Sequence, residues 1–369
     1  MNFDDDKNFL LNPHYRGLGL DELRWMFTPF WGHYTPLTWM TLGLDYLLWG
    51  MDPAGYHLSN VLLHVATAVA FYFLTIQLFR LATGNGGEDK ALWVGAAFAA
   101  LLFAVHPLRV ESVVWITERR DVLSGLFYIL TILAYLRASD RVGRGARWHW
   151  VSVVLFACAL LSKSMAVSLP VVLLILDVYP LRRLGGPVGW WSASARHVYT
   201  EKIPFVLLAG VASAVALSHF LVTSSSMDWV SPLDRLSVSG YGLGFYLWKT
   251  VAPLNLSPIY PLSIMSTTFI WSYIILVLIF MVLTFSLRYR LPGLLAAWLA
   301  YVVILLPVIG IVQNADHIAA DRYTYLSCLG WAIMAGAGIF YCWRPLVRRR
   351  IGLRTFVFIN GVAVVVVVV

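Results

Sequence analysis

The chain has 369 residues, 60% of them hydrophobic and only 12% charged. No soluble globular protein needs that much apolar surface, and charges confined to short stretches between long apolar runs mark a chain whose solvent is the bilayer. A formal charge of +8 would suggest nucleic acid in a soluble protein, but here Lys and Arg fall in inter-helix connections, where they report topology and exclude a nucleic-acid partner.

In chain order, the segment 1–56 comes first, acidic and aromatic. Met1 to Lys7 lacks the apolar core of a signal peptide. Asp4, Asp5, Asp6, Asp21, Glu22, Asp45 and Asp52 outnumber Lys7, Arg16 and Arg24, while Trp25, Phe27, Phe30, Trp31, Trp39 and Trp49 suit amphipathic helices lying at headgroup depth. The adjacent carboxylates Asp4, Asp5 and Asp6 have three readings: general base, divalent-cation site, or a solvated terminus.

Apolar runs then predict crossings near 57–80, 91–105, 121–137, 148–162, 165–179, 203–222, 268–287, 291–313, 323–342 and 355–369. The expected fold is all-α: a polytopic membrane helical bundle of about ten transmembrane helices with amphipathic outer-loop helices. Arg137, Arg141, Arg144 and Arg147 follow the third run; Arg182, Arg183, Arg196 and Lys202 the fifth; Arg288 and Arg290 the seventh; Arg344, Arg348, Arg349, Arg350 and Arg354 the ninth. Cytoplasmic loops carry such an excess, so these connections are assigned inside. Segments 1–56, 106–120, 223–267 and 313–322 then face the periplasm or a lumen. The division is an outer acidic and aromatic segment, 1–56, followed by a transmembrane bundle, 57–369.

On the first crossing, His57, Asn60 and His64 share one helix face, which suits helix–helix hydrogen bonding better than a zinc site. The outer segment His106 to Asp121 packs His106, Arg109, Glu111, Glu118, Arg119, Arg120 and Asp121 together. If it is helical, Glu111 and Glu118 share a face and Arg109 lies near Glu111 and Ser112. Charges this dense beside a bilayer are paired or used. They read either as a salt-bridged interfacial helix or as a mixed site, with arginines on a lipid-linked phosphate and a carboxylate orienting sugar or acceptor. Lys163 sits at an outward-facing turn, and Asp177 at the inner end beside Arg182 and Arg183.

The 223–267 loop, rich in aromatics and proline, reads as re-entrant or interfacial, with Lys249 a lone cation in it. Gln313, Asn314, Asp316 and His317 with Asp321 and Arg322 make a last polar cluster, in which Asp321 would hold the Arg322 guanidinium. Cys158, Cys328 and Cys342 lack metal-ligand spacing and read as packing residues. Walker, GxGxxG, GxSxG and HExxH motifs are absent.

Several stretches together resemble a family: Phe3-Asp4-Asp5-Asp6 with Asn12-Pro13, His33-Tyr34-Thr35-Pro36-Leu37-Thr38, and Gly55-Tyr56-His57-Leu58-Ser59-Asn60 with His64. They continue with His106-Pro107 through Glu111-Ser112-Val113, Glu118-Arg119-Arg120-Asp121, Trp248-Lys249 with Pro253 and Tyr260-Pro261, and Ala320-Asp321-Arg322-Tyr323. In this order they resemble the transmembrane and tetratricopeptide-repeat (TMTC-like) O-mannosyltransferases and their bacterial relatives, of the GT-C superfamily. The family starts with a helix before the acidic loop and ends in tetratricopeptide repeats, so the chain reads as a fragment.

The resemblance implies a glycosyltransferase moving mannose or another hexose from a polyprenyl- or dolichyl-phosphate donor to a hydroxyl, protein Ser or Thr, on the periplasmic or lumenal face. It implies catalysis by Asp4 or Asp5 with Glu111, and substrate or donor-phosphate binding by His33, Arg109, Glu118, Arg119, Arg120, Asp121, Lys249 and Arg322. No cofactor is expected with certainty; Mg or Mn is left open. Partners are the lipid-linked sugar, a protein or glycan acceptor and membrane lipids, and the membrane is a bacterial inner membrane or the endoplasmic reticulum. A lipid-linked-sugar transporter or flippase, a polysaccharide polymerase or ligase, and a noncatalytic scaffold are the alternatives; charges at helix ends rather than at the midplane favour interfacial chemistry over transit.

Overall fold

The computed structural model describes residues 5–84, 89–139, 145–223, 232–261, 267–310 and 317–349. Asp4, Arg141, Arg144, the Gln313 to Asp316 polar run and the 355–369 apolar run lie outside the described residues.

The chain is an all-α helical membrane protein. Two short helices, α1 (Leu20–Met26) and α2 (Pro36–Trp49), precede α3 (Pro53–Thr83). The start of α3 is local chemistry: the Asp52 carboxylate accepts from the Ala54 N–H at 3.0 Å and Pro53 presets the first turn, while Gly84 closes the helix at φ 65°. The next helix, α4 (Lys90–Val105), ends where His106 precedes Pro107 and cannot stay helical. The chain resumes at 56° as a turn and then α5 (Val110–Val114).

Next come α6 (Arg119–Ser139), α7 (Gly145–Ser162), α8 (Leu169–Val178) and α9 (Ala193–Thr223). After α10 (Pro232–Val251) follow α11 (Thr267–Ser286), α12 (Pro292–Leu305), α13 (Thr324–Ser327) and α14 (Leu329–Arg349). The 223–267 segment thus contains a full helix, α10, where the sequence suggested a re-entrant or interfacial stretch. Two short strands, β1 (Tyr260–Pro261) and β2 (His317–Ala319), pair antiparallel and hold the α10–α11 connection against the approach to α13.

Among the described residues, four helices are long and apolar enough to cross a bilayer: Pro53–Thr83, Ile116–Ser139, Gly145–Ser162 and Ala193–Ser218. Two bent pairs, α4 with Pro107–Val114 and Asp321–Ser327 with α14, raise this to six, and three shorter apolar helices cover 164–178, 270–286 and 292–305. Aliphatic side chains such as Leu207, Val211, Ile279 and Val282 point outward, the solution expected when the surroundings are lipid.

Inside, α3, α4, α6, α7, α8, α12 and α14 share a core built on Phe71, Phe103, Tyr128, Phe156, Leu169 and Tyr301. Close approach depends on small residues: a Cβ on Gly336 of α14 would lie 2.4 Å from the Gly95 carbonyl oxygen of α4. The outer segment packs separately through Phe9, Tyr15, Met26, Trp39, Leu42, Tyr56 and Ile116. It is sewn to α7 by the Thr38 hydroxyl donating to the Ser162 carbonyl at 3.0 Å. Leu44, Leu47, Leu48 and Trp49 of α2 stay exposed, as expected of an amphipathic helix at the membrane surface.

Candidate functional site

The His106 to Asp121 segment is a broken path rather than one helix. Trp115 leaves the helical region (ψ 116°), so α5 ends there and α6 begins at Arg119 after one tight turn. Glu111 and Glu118 therefore do not share a helix face, yet both reach Arg322. The Glu111 carboxylate accepts from the Arg322 backbone N–H at 2.7 Å and from Nη1 at 2.6 Å, and Arg322 Nε lies 3.3 Å from Glu118.

Glu118 is fully buried and central. Arg120 donates to it through Nε at 3.0 Å and through Nη2, Lys163 Nζ lies 3.2 Å away, and Lys163 also pairs with Asp121. Three carboxylates thus face three cations, which is how burial of so many charges is tolerated. Asp121 also accepts from Ser112 at 3.1 Å. Arginine supplies the planar fork that can bridge two carboxylates; lysine acts as a point charge between Glu118 and Asp121.

Arg120 also reaches the wall of a cavity of about 270 Å³, formed between the outer segment and the turn before α6. Its walls are aromatic (Phe9, Phe30, Trp31, Trp39) and its polar groups are Lys7, His33, Thr35, Thr38, Thr117 and Arg120. Trp31 at φ 48° and Gly32 at φ 75° turn the chain so that Phe30 and His33 exchange two backbone hydrogen bonds of 2.9 Å. A tryptophan in the left-handed region costs roughly 1–3 kcal/mol, and with Trp31 66% exposed the turn is held by the paired Phe30 and His33 backbones. Lys7 Nζ stands 5.1 Å above the Trp31 ring. The Arg120 guanidinium, with desolvation second, pushes His33 down to about 3, so this imidazole is neutral at physiological pH.

Asp5 stands behind the same wall, only 2% exposed. Its Oδ1 accepts from Trp115 Nε1 at 3.0 Å, the Thr117 hydroxyl at 2.7 Å and the Thr117 N–H at 3.3 Å. This carboxylate clamps the start of the chain to the turn before Arg120.

Comparison with known proteins bears on this arrangement. The chain is 36% identical to protein O-mannosyl-transferase tmtc2 of Xenopus laevis over 181 residues, 45% of this chain and 20% of the relative. It is 33% identical to TMTC1 of Homo sapiens over 180 residues (43% and 19%), and 28% identical to Tmtc3 of Drosophila melanogaster over 167 residues (41% and 18%). Over these stretches the chain is similar to the TMTC protein O-mannosyl-transferases. It spans about a fifth of the length of the curated relatives it matches. No family model matches the chain. No solved structure matches it either.

Arg119, 1% exposed, turns away from the cavity: Nε donates to Asn60 Oδ1 at 2.7 Å, Nη2 to the Tyr56 carbonyl at 2.8 Å, and its Nη1 pairs with Asp45. It is a tie between α2, α3 and α6. Among the described residues Arg109 makes no ion pair with Glu111; its buried guanidinium lies 5.4 Å from the Phe103 ring and 5.6 Å from the Tyr325 ring. Asp321 does not hold Arg322. It accepts from the Tyr260 hydroxyl at 3.1 Å and the Ser257 N–H at 3.0 Å, leaving Arg322 free to cross to Glu111. Lys249 caps the Leu254 and Asn255 carbonyls, under the rings of Phe245 and Tyr260.

Asn60 and His64 make the helix–helix hydrogen bonds their spacing suggested, His64 with the Tyr325 hydroxyl at 2.8 Å and the Ala104 carbonyl at 3.0 Å. Asp177 pairs with Arg183, as expected, and also with Lys202 at 2.6 Å and the Tyr135 hydroxyl. Among the described residues no three His, Cys, Asp or Glu side chains converge as a cation site. Sequence reasoning missed Thr117 and Asp45 as partners. Asp45 carried a signal, a carboxylate within an otherwise apolar helix.

Proposed function

We propose that the cavity between the outer segment and the Trp115–Arg120 turn is the sugar-transfer site of a GT-C-type hexosyltransferase. It would use a polyprenyl-phosphate-linked donor and a protein Ser or Thr hydroxyl as acceptor. The relatives are protein O-mannosyl-transferases by name, which favours mannose or another hexose. The observation that carries the reading is the cavity's composition: flat aromatic walls to stack on a pyranose, with a guanidinium and an ammonium to meet a phosphate.

In the proposed reaction the acceptor oxygen attacks the anomeric carbon while a carboxylate takes its proton. The carbon–oxygen bond to phosphate breaks, and the electron pair leaves with the phosphate. Arg120, with Lys7, offsets the charge that develops on the leaving group. His33, neutral, is a hydrogen-bond partner for a sugar hydroxyl. Asp5, saturated at Oδ1, is assigned as a positioning residue for the Thr117 wall, which leaves Asp4 as the base to test. Glu111, Glu118, Asp121 and Arg322 hold Arg120 and its turn in place, while Arg109, Arg119 and Lys249 support the frame around them.

The same geometry supports the proposed outer face. The cavity lies at the end of the bundle marked by the starts of α3 and α6, whereas Arg182, Arg183, Arg196, Lys202, Arg288 and Arg290 crowd the other end. By the positive-inside rule this arrangement favours a cavity facing the periplasm or lumen. The test is glycoproteomics of a strain lacking the full-length gene, complemented with wild type, Asp4→Asn and Arg120→Ala. Loss of O-linked hexose that only wild type restores supports the proposal. Unchanged protein glycans in the deletion, with lipid-linked sugar accumulating on one face, would establish a flippase instead.

A further inference from the structure

A second cavity, of about 220 Å³, lies far from the first, between the later halves of α3 and α8, the start of α12 and the middle of α14. Leu78 lines it and lies fourteen positions beyond His64 on α3, which at the rise of an α-helix places it roughly 20 Å further along the axis from the polar site. Leu74, Leu78, Ile132, Val172 and Ile333 make its walls aliphatic.

Its rim has a different chemistry. Arg290, in the α11–α12 connection, lines the cavity beside the aromatic side chains of Tyr179 and Tyr341. Among the described residues Arg290 has no carboxylate within ion-pair distance, unlike Arg183, Arg322 and Arg344. Gly293, one turn on, lies close to this rim: a Cβ there would lie 3.3 Å from the Tyr179 ring and 3.8 Å from the Met334 sulfur, so a larger side chain would crowd the slot.

An aliphatic slot among membrane helices cannot be kept filled by water. What is available at this depth is an acyl chain, and what an unpaired arginine at the headgroup level attracts is a phosphate. We propose that this cavity is a binding site for an anionic phospholipid of the leaflet opposite the transfer site. One acyl chain enters between α3, α8, α12 and α14, and the lipid phosphate lies on Arg290. The site is independent of the transferase reading, since it shares no residue with the first cavity. Tyr179 and Tyr341 mark the interface, where amphipathic rings are most at home.

The experiment is native mass spectrometry of the full-length protein released from nanodiscs of phosphatidylcholine with or without phosphatidylglycerol. It compares wild type, Arg290→Ala and Gly293→Leu, with a thermal melt of each variant to show that it remains folded. Wild type should retain one phosphatidylglycerol in preference to phosphatidylcholine. Arg290→Ala should lower that preference about fivefold, the worth of one cation at an anionic surface. Gly293→Leu should abolish retention of either lipid at this site by filling the slot. Equal retention in all three proteins, or retention of phosphatidylcholine alone, would overturn the assignment. So would a bound polyprenyl phosphate displacing the phospholipid.

Discussion

Glu118→Gln tests whether the buried charge cluster is what holds the cavity wall. The side chain is fully buried and meets Arg120, Lys163 and Arg322. With Glu111 and Asp121 the cluster balances three carboxylates against three cations, so glutamine leaves one uncompensated positive charge in a dry site. Breaking a buried pair from one side costs about 3–5 kcal/mol, because the stranded partner keeps its desolvation penalty. A second change restores balance: Arg120 has Glu118 as its main partner, so Glu118→Gln with Arg120→Met should recover most of the loss. The control is Asp21→Asn, whose partner Arg24 is 3.4 Å away with both side chains well exposed, and which should change little. Equilibrium unfolding in mixed micelles, followed by circular dichroism, reads all four proteins. If Glu118→Gln is no less stable than Asp21→Asn, the cluster is not structural as described.

Other outcomes follow from the same geometry. Asp5→Asn should loosen the outer segment by about 1.5–3 kcal/mol, the worth of hydrogen bonds to a charged group, and speed proteolysis near Trp115; Asp6→Asn should not. Arg119→Lys keeps the charge but should cost about 1.5–3 kcal/mol, since a lysine cannot span Asn60, the Tyr56 carbonyl and Asp45 at once; thermal melting in detergent checks this. The Arg120 guanidinium lowers His33 below its ordinary value of 6.5, so as the pH falls through that value the unfolded chain binds a proton that the folded chain does not. Stability should therefore fall with acidification through this window, and His33→Gln should flatten the fall; pH-dependent melting of the two proteins measures the difference.

Much of the bundle was legible because hydrocarbon imposes a simple rule on sequence. Nine of the apolar runs coincide with helices, including the pair broken at His106-Pro107, where proline announces the bend. That the charges of the 106–121 segment are paired was also legible, since Glu111, Glu118, Arg120 and Asp121 join Arg322 and Lys163 in one ion-pair cluster, but among the described residues only His33 and Arg120 of the expected site line the cavity. Who pairs with whom was not. Asp321 and Arg322 are neighbours in sequence, yet their side chains diverge to Tyr260 and to Glu111, partners 61 and 211 positions away. Arg119 and Arg120 are adjacent but meet different partners, one closing a structural tie and the other lining the cavity. The shared face that a continuous helix would give Glu111 and Glu118 is lost at Trp115, whose indole N–H donates to Asp5. Such choices depend on contacts between distant elements, which spacing along one chain does not encode.

The most direct measurement of the central proposal is hexose transfer itself. Membranes containing the full-length protein are given a polyprenyl-phosphate mannose labelled in the sugar and a Ser/Thr-bearing protein acceptor, and label in the protein is counted. Wild type should transfer label; Arg120→Ala should lose most of it while the protein remains folded. Label that never leaves the lipid with wild type, or equal transfer by Arg120→Ala, would contradict the placement of sugar transfer in this cavity.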